Sequence, residues 1–301
     1  KYDGSVWAYV REERITSAEY NYSYEKNKQD NGTPIAHFRI SVWAVNDIGL
    51  ESTRGTTLEV WNQAPNIVDG LTNDFTGKDC VIWWNRTQEQ DIDHYKLNIT
   101  GTGGTFTYLI PGSNTDFVYT YDQNVNDNGT PGDPSLTLNF YVVDAFEQIS
   151  PVYTLAMINP IPGAIGGLTA SPSFRAVYFE WNHSVEQDHK NYSIRTMIGG
   201  GLWSDWQDIA SNWYNRVLSS GEIGTYTVSG TVYGEVKDKD IFNQLSTVAA
   251  SANGNAEDIK QVDLNSETFQ VIFSDSDNNF QTTLKILGDG HLSSGGIFYT
   301  V

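Results

Sequence analysis

Cysteine is almost absent from this 301-residue chain, which has a single cysteine, Cys80. An internal disulfide is therefore impossible, which argues against the disulfide-stapled domains of extracellular animal proteins. Basic residues are also scarce, since 18 Lys and Arg stand against 37 Asp and Glu, for a formal net charge of -19. Because phosphate contacts need cations, we expect no nucleic-acid partner. No apolar run approaches the ~18 residues of a membrane helix, so we expect no membrane-spanning segment.

Aromatic residues are plentiful by contrast. They make up 13% of the chain, with 17 Tyr and 9 Trp, while hydrophobic residues reach only 39%. This composition supplies enough bulky side chains for several small cores but is too polar for one large core. The abundance of Asn, Thr, Ser and Gly is typical of strands joined by many turns. Together these features favour several all-β domains.

A repeat with a spacing of 97 residues organises the chain. The triplet Gly-Leu-Thr occurs at 70–72 and again at 167–169. Further matches at this spacing are Pro65 with Pro162, Trp84-Asn85 with Trp181-Asn182, Glu89-Gln90-Asp91 with Glu186-Gln187-Asp188, and Asp30-Asn31-Gly32-Thr33-Pro34 with Asp127-Asn128-Gly129-Thr130-Pro131. Another echo places Asp144–Ser150 against Asp240–Ser246. Such a period is too long for a solenoid repeat and fits a β-sandwich of about 100 residues.

Alternating apolar residues predict the strands within each repeat. The inward face of one strand carries Cys80, Ile82 and Trp84, and the equivalent face in the next copy carries Val177, Phe179 and Trp181. The following strand contributes an inward tyrosine in both copies. We therefore predict a core signature of one tryptophan and one tyrosine in each module: Trp84 and Tyr95, then Trp181 and Tyr192.

These residues, together with a late strand at 38–52 that contains Val-Trp-Ala-Val-Asn, resemble the fibronectin type III domain. The resemblance covers residues 1 to about 252 and implies tandem immunoglobulin-like β-sandwiches. It predicts a partial module at 1–63 that lacks its opening strands, modules at 64–160 and 161–252, and a connector with a β-rich oligomerisation segment at 253–301. The natural protein would then extend further toward the N-terminus. The third late strand matches least, because Gly234 and Asp238 replace Leu138 and Val142.

The last fifty residues do not follow the repeat. A short helix or connector at 256–264 is followed by three segments of alternating apolar residues, at 269–273, 284–286 and 297–301. Three short strands cannot close a core alone, so we expect this tail to associate with copies of itself. The layout resembles the distal region of tailed-phage tail-tip and central-fibre proteins, as does the run from Asp289-Gly290 to Gly295-Gly296. The resemblance implies a homotrimer in a phage virion, with other tail-tip proteins and a host receptor or glycan as partners.

The sequence contains no recognisable catalytic or cofactor-binding motif, so we predict no enzyme activity and no cofactor. His183 and His189 lie near two acidic residues, but a solvated loop explains them better than a metal site. Two Asp-rich turns are candidate calcium sites, with a solvated turn as the alternative for each. They are Asp275, Asp277 and Asn279, and separately Asn126, Asp127 and Asp133.

The third module also carries an aromatic group that consists of Trp203, Trp206, Trp213 and Tyr214. Such side chains form a ligand or interface surface when exposed, or pack in the core or against a neighbouring copy. Taken together, we predict a structural component of a phage tail tip or central fibre, which spaces the tail hub from the host-recognition tip. The alternatives are a spacer or carbohydrate-binding region of a secreted bacterial carbohydrate-active enzyme, and an extracellular adhesin.

Overall fold

The computed structural model describes residues 6–173, 175–219, 222, 231–256, 268–276 and 279–287, and the last two ranges only by their backbone. The first module contains α1 (Tyr24–Asn31), β1 (His37–Val42) and β2 (Thr56–Trp61). The two strands pair antiparallel, with Ile40 opposite Leu58. Among the described residues, no helix has the length and apolar character needed to cross a membrane.

The second module is a sandwich of two antiparallel sheets. Its elements are β3 (Thr72–Asp74), β4 (Cys80–Trp83), β5 (Ile92–Gly101), β6 (Gly104–Pro111), β7 (Asp116–Tyr119), α2 (Tyr121–Asn128), β8 (Ser135–Asp144) and β9 (Tyr153–Ile158). One sheet has the order β3-β4-β7, and the other has the order β6-β5-β8-β9. The inward residues of both sheets form one continuous core.

The third module repeats this topology. Its strands are β10 (Thr169–Ser173), β11 (Ala176–Glu180), β12 (His189–Ile198), β13 (Gln207–Ile209), β14 (Trp213–Val217), β15 (Thr231–Asp240) and β16 (Ala250–Asn255). The sheets have the orders β10-β11-β14 and β13-β12-β15-β16. The prediction of all-β, tandem fibronectin-type sandwiches is confirmed.

The poorly matching late strand of the third copy forms in full as β15. A Cβ atom on Gly234 would lie only 2.5 Å from Cε1 of Phe179, so the glycine makes room for that ring. Asp238 is buried but accepts a hydrogen bond from the backbone N–H of Lys239 at 2.9 Å. Both departures from the apolar pattern therefore have a local structural reason.

The two short helices are absent from the sequence-based expectations, because each has only eight residues and a polar composition. A signal for α2 is present, since Thr120 and Gln123 form a reciprocal capping box. Hydrogen bonds hold both helices, as Tyr119 Oη donates to Asp127 Oδ2 at 2.8 Å and Tyr22 Oη donates to Asp30 Oδ2 at 2.9 Å. The repeated Asp-Asn-Gly-Thr-Pro motif thus ends a helix.

The tail contains a hairpin of β17 (Thr268–Ser276) and β18 (Asn279–Leu287), in which Val271 lies opposite Leu284. Two of the three predicted alternating segments coincide with these strands. The predicted helix beyond Ala256, the segment at 297–301 and the run at 289–296 lie outside the described residues. The calcium candidate Asp277 does too, and Asp275 and Asn279 are described only by their backbone.

Candidate functional site: two repeated junctions and an aromatic face

The junction between the second and third modules centres on Asn159, which directly follows β9 and is buried. Its Nδ2 donates to Asp188 Oδ2 at 2.8 Å, across the junction. The same amide lies within 2.9 Å of the carbonyl oxygen of Phe75 and 3.2 Å of that of Gly77, in the turn between β3 and β4. One amide therefore joins the linker, the β3–β4 turn of the second module and the loop between β11 and β12 of the third.

Gln244, in the hairpin that joins β15 to β16, closes this junction from the other side. Its Nε2 donates to Asn159 Oδ1 at 3.0 Å and to Asp240 Oδ2 at 3.0 Å. Asn159, Asp188, Asp240 and Gln244 thus form a set that we call the junction clasp. Hydrogen bonds to charged acceptors are the stronger kind, and buried ones are costly to lose.

The junction between the first and second modules has the same clasp. Asn62 Nδ2 donates to Asp91 Oδ2 at 2.9 Å and to Asp144 Oδ2 at 3.0 Å. Gln148 Nε2 donates to the Asn62 carbonyl oxygen at 3.0 Å and to Asp144 Oδ2 at 3.0 Å. The four residues occupy the positions of the second clasp in the repeat, although Asn62 is only partly buried.

Aromatic rings pack beside each clasp. Phe242 lies edge-on to Phe75 and Tyr121, with ring centroids 5.4 and 5.5 Å apart, and is part of the core of the second module. At the first junction Phe146 lies edge-on to Tyr24 at 5.6 Å. The Tyr24–Phe146 and Tyr121–Phe242 pairs thus join the helix of one module to the late hairpin of the next.

The repeated Glu-Gln-Asp motif serves the same junctions. Its aspartates belong to the clasps, and its glutamates hold the linkers: Glu89 Oε1 accepts from the Asn66 backbone N–H at 2.8 Å, and Glu186 Oε1 accepts from the Gly163 N–H at 2.9 Å. From the sequence this motif is recognisable only as part of the repeat, because nothing local in it reveals a partner in a different module.

Both aspartates of the second clasp have raised pKa values. Burial raises the pKa of Asp188 above its ordinary value, opposed by the hydrogen bond from Asn159 and reinforced by Glu186. Burial also raises the pKa of Asp240, opposed by hydrogen bonds from Gln244. Two acids are therefore held close together in a buried setting, where their negative charges repel.

The first module has the same late hairpin with different side chains. Gly49, Glu147 and Asn243 share a positive φ, of 84°, 62° and 65° respectively, at the equivalent position. Where the later hairpins place a docked phenylalanine, the first has Ile48, which is 80% exposed, and Leu50 replaces the clasp glutamine. This hairpin keeps the internal hydrogen bonds of the other two, since Asn46 Oδ1 accepts from the Leu50 backbone N–H at 2.8 Å, but it has neither the glutamine nor the phenylalanine.

The predicted core signature is buried in both modules. The Trp84 and Tyr95 rings meet edge-on at 5.1 Å, and the Trp181 and Tyr192 rings at 5.4 Å. Cys80 lies in the same core, where burial raises the pKa of its thiol to about 12. A thiol in this state is a poor nucleophile.

The structure does not bring the four predicted aromatic residues together. Trp203 and Trp206 lie on the outer face of the four-stranded sheet, where both rings pack over the guanidinium of Arg195, at 4.7 and 4.6 Å. Trp213 lies on the other sheet and stacks on Tyr178 at 6.0 Å, with 48% exposure. Tyr214, the next residue, packs against the core.

Several of the histidine and acid residues singled out in the sequence form hydrogen bonds within the protein, while His183 is exposed. Asp238 accepts from Ser184 Oγ and contacts His189 Nδ1 at 2.6 Å. The carboxylate lies between the serine and the imidazole, so the serine does not contact the imidazole base as the serine of a nucleophilic triad does. In the second module Asp127 accepts from Tyr108 Oη at 2.6 Å, and Asp133 accepts from the Thr102 backbone N–H at 2.7 Å. Within the described part of the chain, no group of three or more His, Cys, Asp or Glu is placed to hold a metal ion.

Comparisons with known proteins return matches among solved structures. No protein-family model and no curated protein sequence matches the chain. A two-domain fibronectin type III segment of chicken tenascin is 15% identical, with 62% of this chain and 98% of that chain covered and a TM-score of 0.35. The FN1–FN3 domains of chicken CNTN1 are 8% identical, covering 73% and 77%, with a TM-score of 0.29. The spore cortex lytic enzyme SleM of Clostridium perfringens is 14% identical, covering 41% and 38%, with a TM-score of 0.30. The fold assignment rests on the sheet topology described above.

Proposed function

We propose that this chain is a stiff spacer whose modules are held at fixed angles by their junctions. The observation that carries the proposal is the repeated clasp, in which a linker asparagine, two aspartates and a glutamine meet at both junctions. Relative motion is the ordinary expectation for modules in one chain. Hydrogen bonds and ring contacts across each junction, buried at the second junction and partly buried at the first, oppose that motion.

Within this role, we propose a place in the tail tip or central tail fibre of a phage. The support is the resemblance noted in the sequence, where fibronectin-type modules lead into a separate β-rich tail. In this setting the chain forms a homotrimer, contacts other tail-tip proteins and presents a distal segment to a host receptor or glycan.

Two measurements test these proposals on the intact chain. Small-angle X-ray scattering of the unmodified protein should fit one rigid arrangement of modules, whereas Gln148→Ala combined with Gln244→Ala should require a mixture of arrangements. Equal flexibility in both proteins would refute the stiff spacer.

Sedimentation equilibrium should give a trimer, and a monomer at every concentration would refute the proposed tail fibre.

A second candidate is an accessory region of a secreted carbohydrate-active enzyme or adhesin. The observation that favours it is the partly exposed pair Trp203 and Trp206 on the outer face of the third module. A spacer role is common to both candidates. A catalytic or surface-anchoring domain in the same polypeptide would favour this one, and a tail-hub domain would favour the phage setting.

A further inference from the structure

The outer face of the four-stranded sheet differs between the second and third modules. In the second module, β5 turns tightly into β6, and this face carries small polar pairs, as where Thr107 Oγ1 donates to Asn98 Oδ1 at 2.9 Å, together with Leu109 and a single Tyr141 ring near Lys96. In the third module β13 has only three residues, and the connecting residues 199–206 carry two tryptophans. Because the second module completes the same sheet without them, the fold itself does not require these tryptophans.

Charged side chains hold the two rings in place. Arg195 packs against both rings, and its Nη2 forms an ion pair with Glu235 at 2.6 Å on the neighbouring strand. Lys237 Nζ lies 5.5 Å from the centroid of the Trp206 ring. Cation–π contacts of this kind reduce the freedom of the rings, so less entropy would be lost when a ligand stacks on them.

The face remains accessible to a ligand. Both tryptophans are partly exposed, and the adjacent Leu202 is 95% exposed. Flat rings with an apolar surface, next to an ammonium and a carboxylate, match a sugar, which has an apolar C–H face and a rim of hydroxyl groups. The formal net charge of -19 disfavours an acidic polymer.

We propose that Trp203 and Trp206 form a binding platform for a neutral polysaccharide chain, with Lys237 and Glu235 as hydrogen-bonding partners of its hydroxyl groups. This inference goes beyond the spacer role and does not depend on the phage setting. A spacer with such a platform would contact a glycan surface along its side as well as at its tip.

The test is affinity electrophoresis of the intact chain in gels that contain soluble β-glucan, xylan, galactomannan or dextran. At least one polysaccharide should retard the unmodified protein. Trp203→Leu keeps an apolar side chain but removes the flat ring, and should weaken retardation roughly tenfold. Trp203→Phe should weaken it less. Trp213→Leu, on the other sheet, is the matched control and should bind like the unmodified protein.

Thermal melts followed by circular dichroism separate binding from folding. If Trp203→Leu does not fold, Trp206→Phe provides the second comparison, with an expected intermediate loss of binding. The proposal is overturned if none of the four polysaccharides retards the unmodified protein. A lower melting temperature of Trp203→Leu would then show only that the ring stabilises the fold. It is also overturned if Trp213→Leu loses as much binding as Trp203→Leu.

Discussion

Replacing Asn159 by alanine should release the joint between the second and third modules. The change removes the donor to the buried carboxylate of Asp188, and hydrogen bonds to charged groups contribute about 1.5–3 kcal/mol. The carbonyl oxygens of Phe75 and Gly77 lose a donor as well, at a further cost of about 1–3 kcal/mol for buried groups left unpaired. If the joint opens, water reaches these groups and satisfies them. The total loss of stability therefore cannot exceed the free energy with which the two modules dock on each other.

The matched comparison is Asn62→Ala at the first junction. Asn62 and Asp91 are only partly buried, so water replaces the lost donor to Asp91, and the buried second acceptor Asp144 keeps its hydrogen bond from Gln148. We expect a loss of about 1 kcal/mol at that junction, near the value of an ordinary hydrogen bond. Asn159→Ala should therefore be the more damaging of two chemically identical changes.

Urea unfolding followed by tryptophan fluorescence, together with small-angle scattering, measures both effects. Asn159→Ala should lower the free energy of unfolding of the docked modules and broaden the distribution of interatomic distances. Asn62→Ala should do so to a smaller extent. If Asn159→Ala leaves both the unfolding free energy and the scattering curve unchanged, the clasp does not hold the modules and the reasoning fails.

Three further predictions concern charge, packing and reactivity. Asp188 has a raised pKa in the folded state, so its ionised form disfavours folding, and stability from this group should rise as pH falls from 7 toward the ordinary carboxyl range near ~4. Asp188→Asn should melt higher than the unmodified protein at pH 7, and a gap in melting temperature that does not narrow as the pH falls toward ~4 would contradict this. Gly234→Ala should cost about 1–3 kcal/mol of stability through contact with Phe179. Gly166→Ala, whose Cβ would lie 3.6 Å from its nearest neighbour, Asn182 Nδ2, should cost much less in the same thermal melts. Cys80 should resist iodoacetamide at pH 8 until the protein is denatured, and mass spectrometry showing rapid labelling of the native chain would argue against its burial.

The core could be predicted from the sequence because its signal is local. In β4 the inward residues Cys80 and Ile82 alternate with exposed residues. This two-residue alternation is the same however the modules are arranged in space. The aromatic group could not be predicted in the same way. Trp213 and Tyr214 are neighbours in sequence, yet a strand turns successive side chains to opposite faces, so one lies outside and the other packs inward.

The sequence by itself therefore determined the repeat, the strand faces and the residues of each core, because those depend on side chains two positions apart. It also marked the aspartates and glutamines of the clasps as recurring, without their purpose. Only the tertiary structure decided that purpose, because Asp188 and Gln244 come from loops more than fifty residues apart and meet Asn159 at one end of a sandwich. Contacts of that kind depend on how the strands are ordered in space, which no local period encodes.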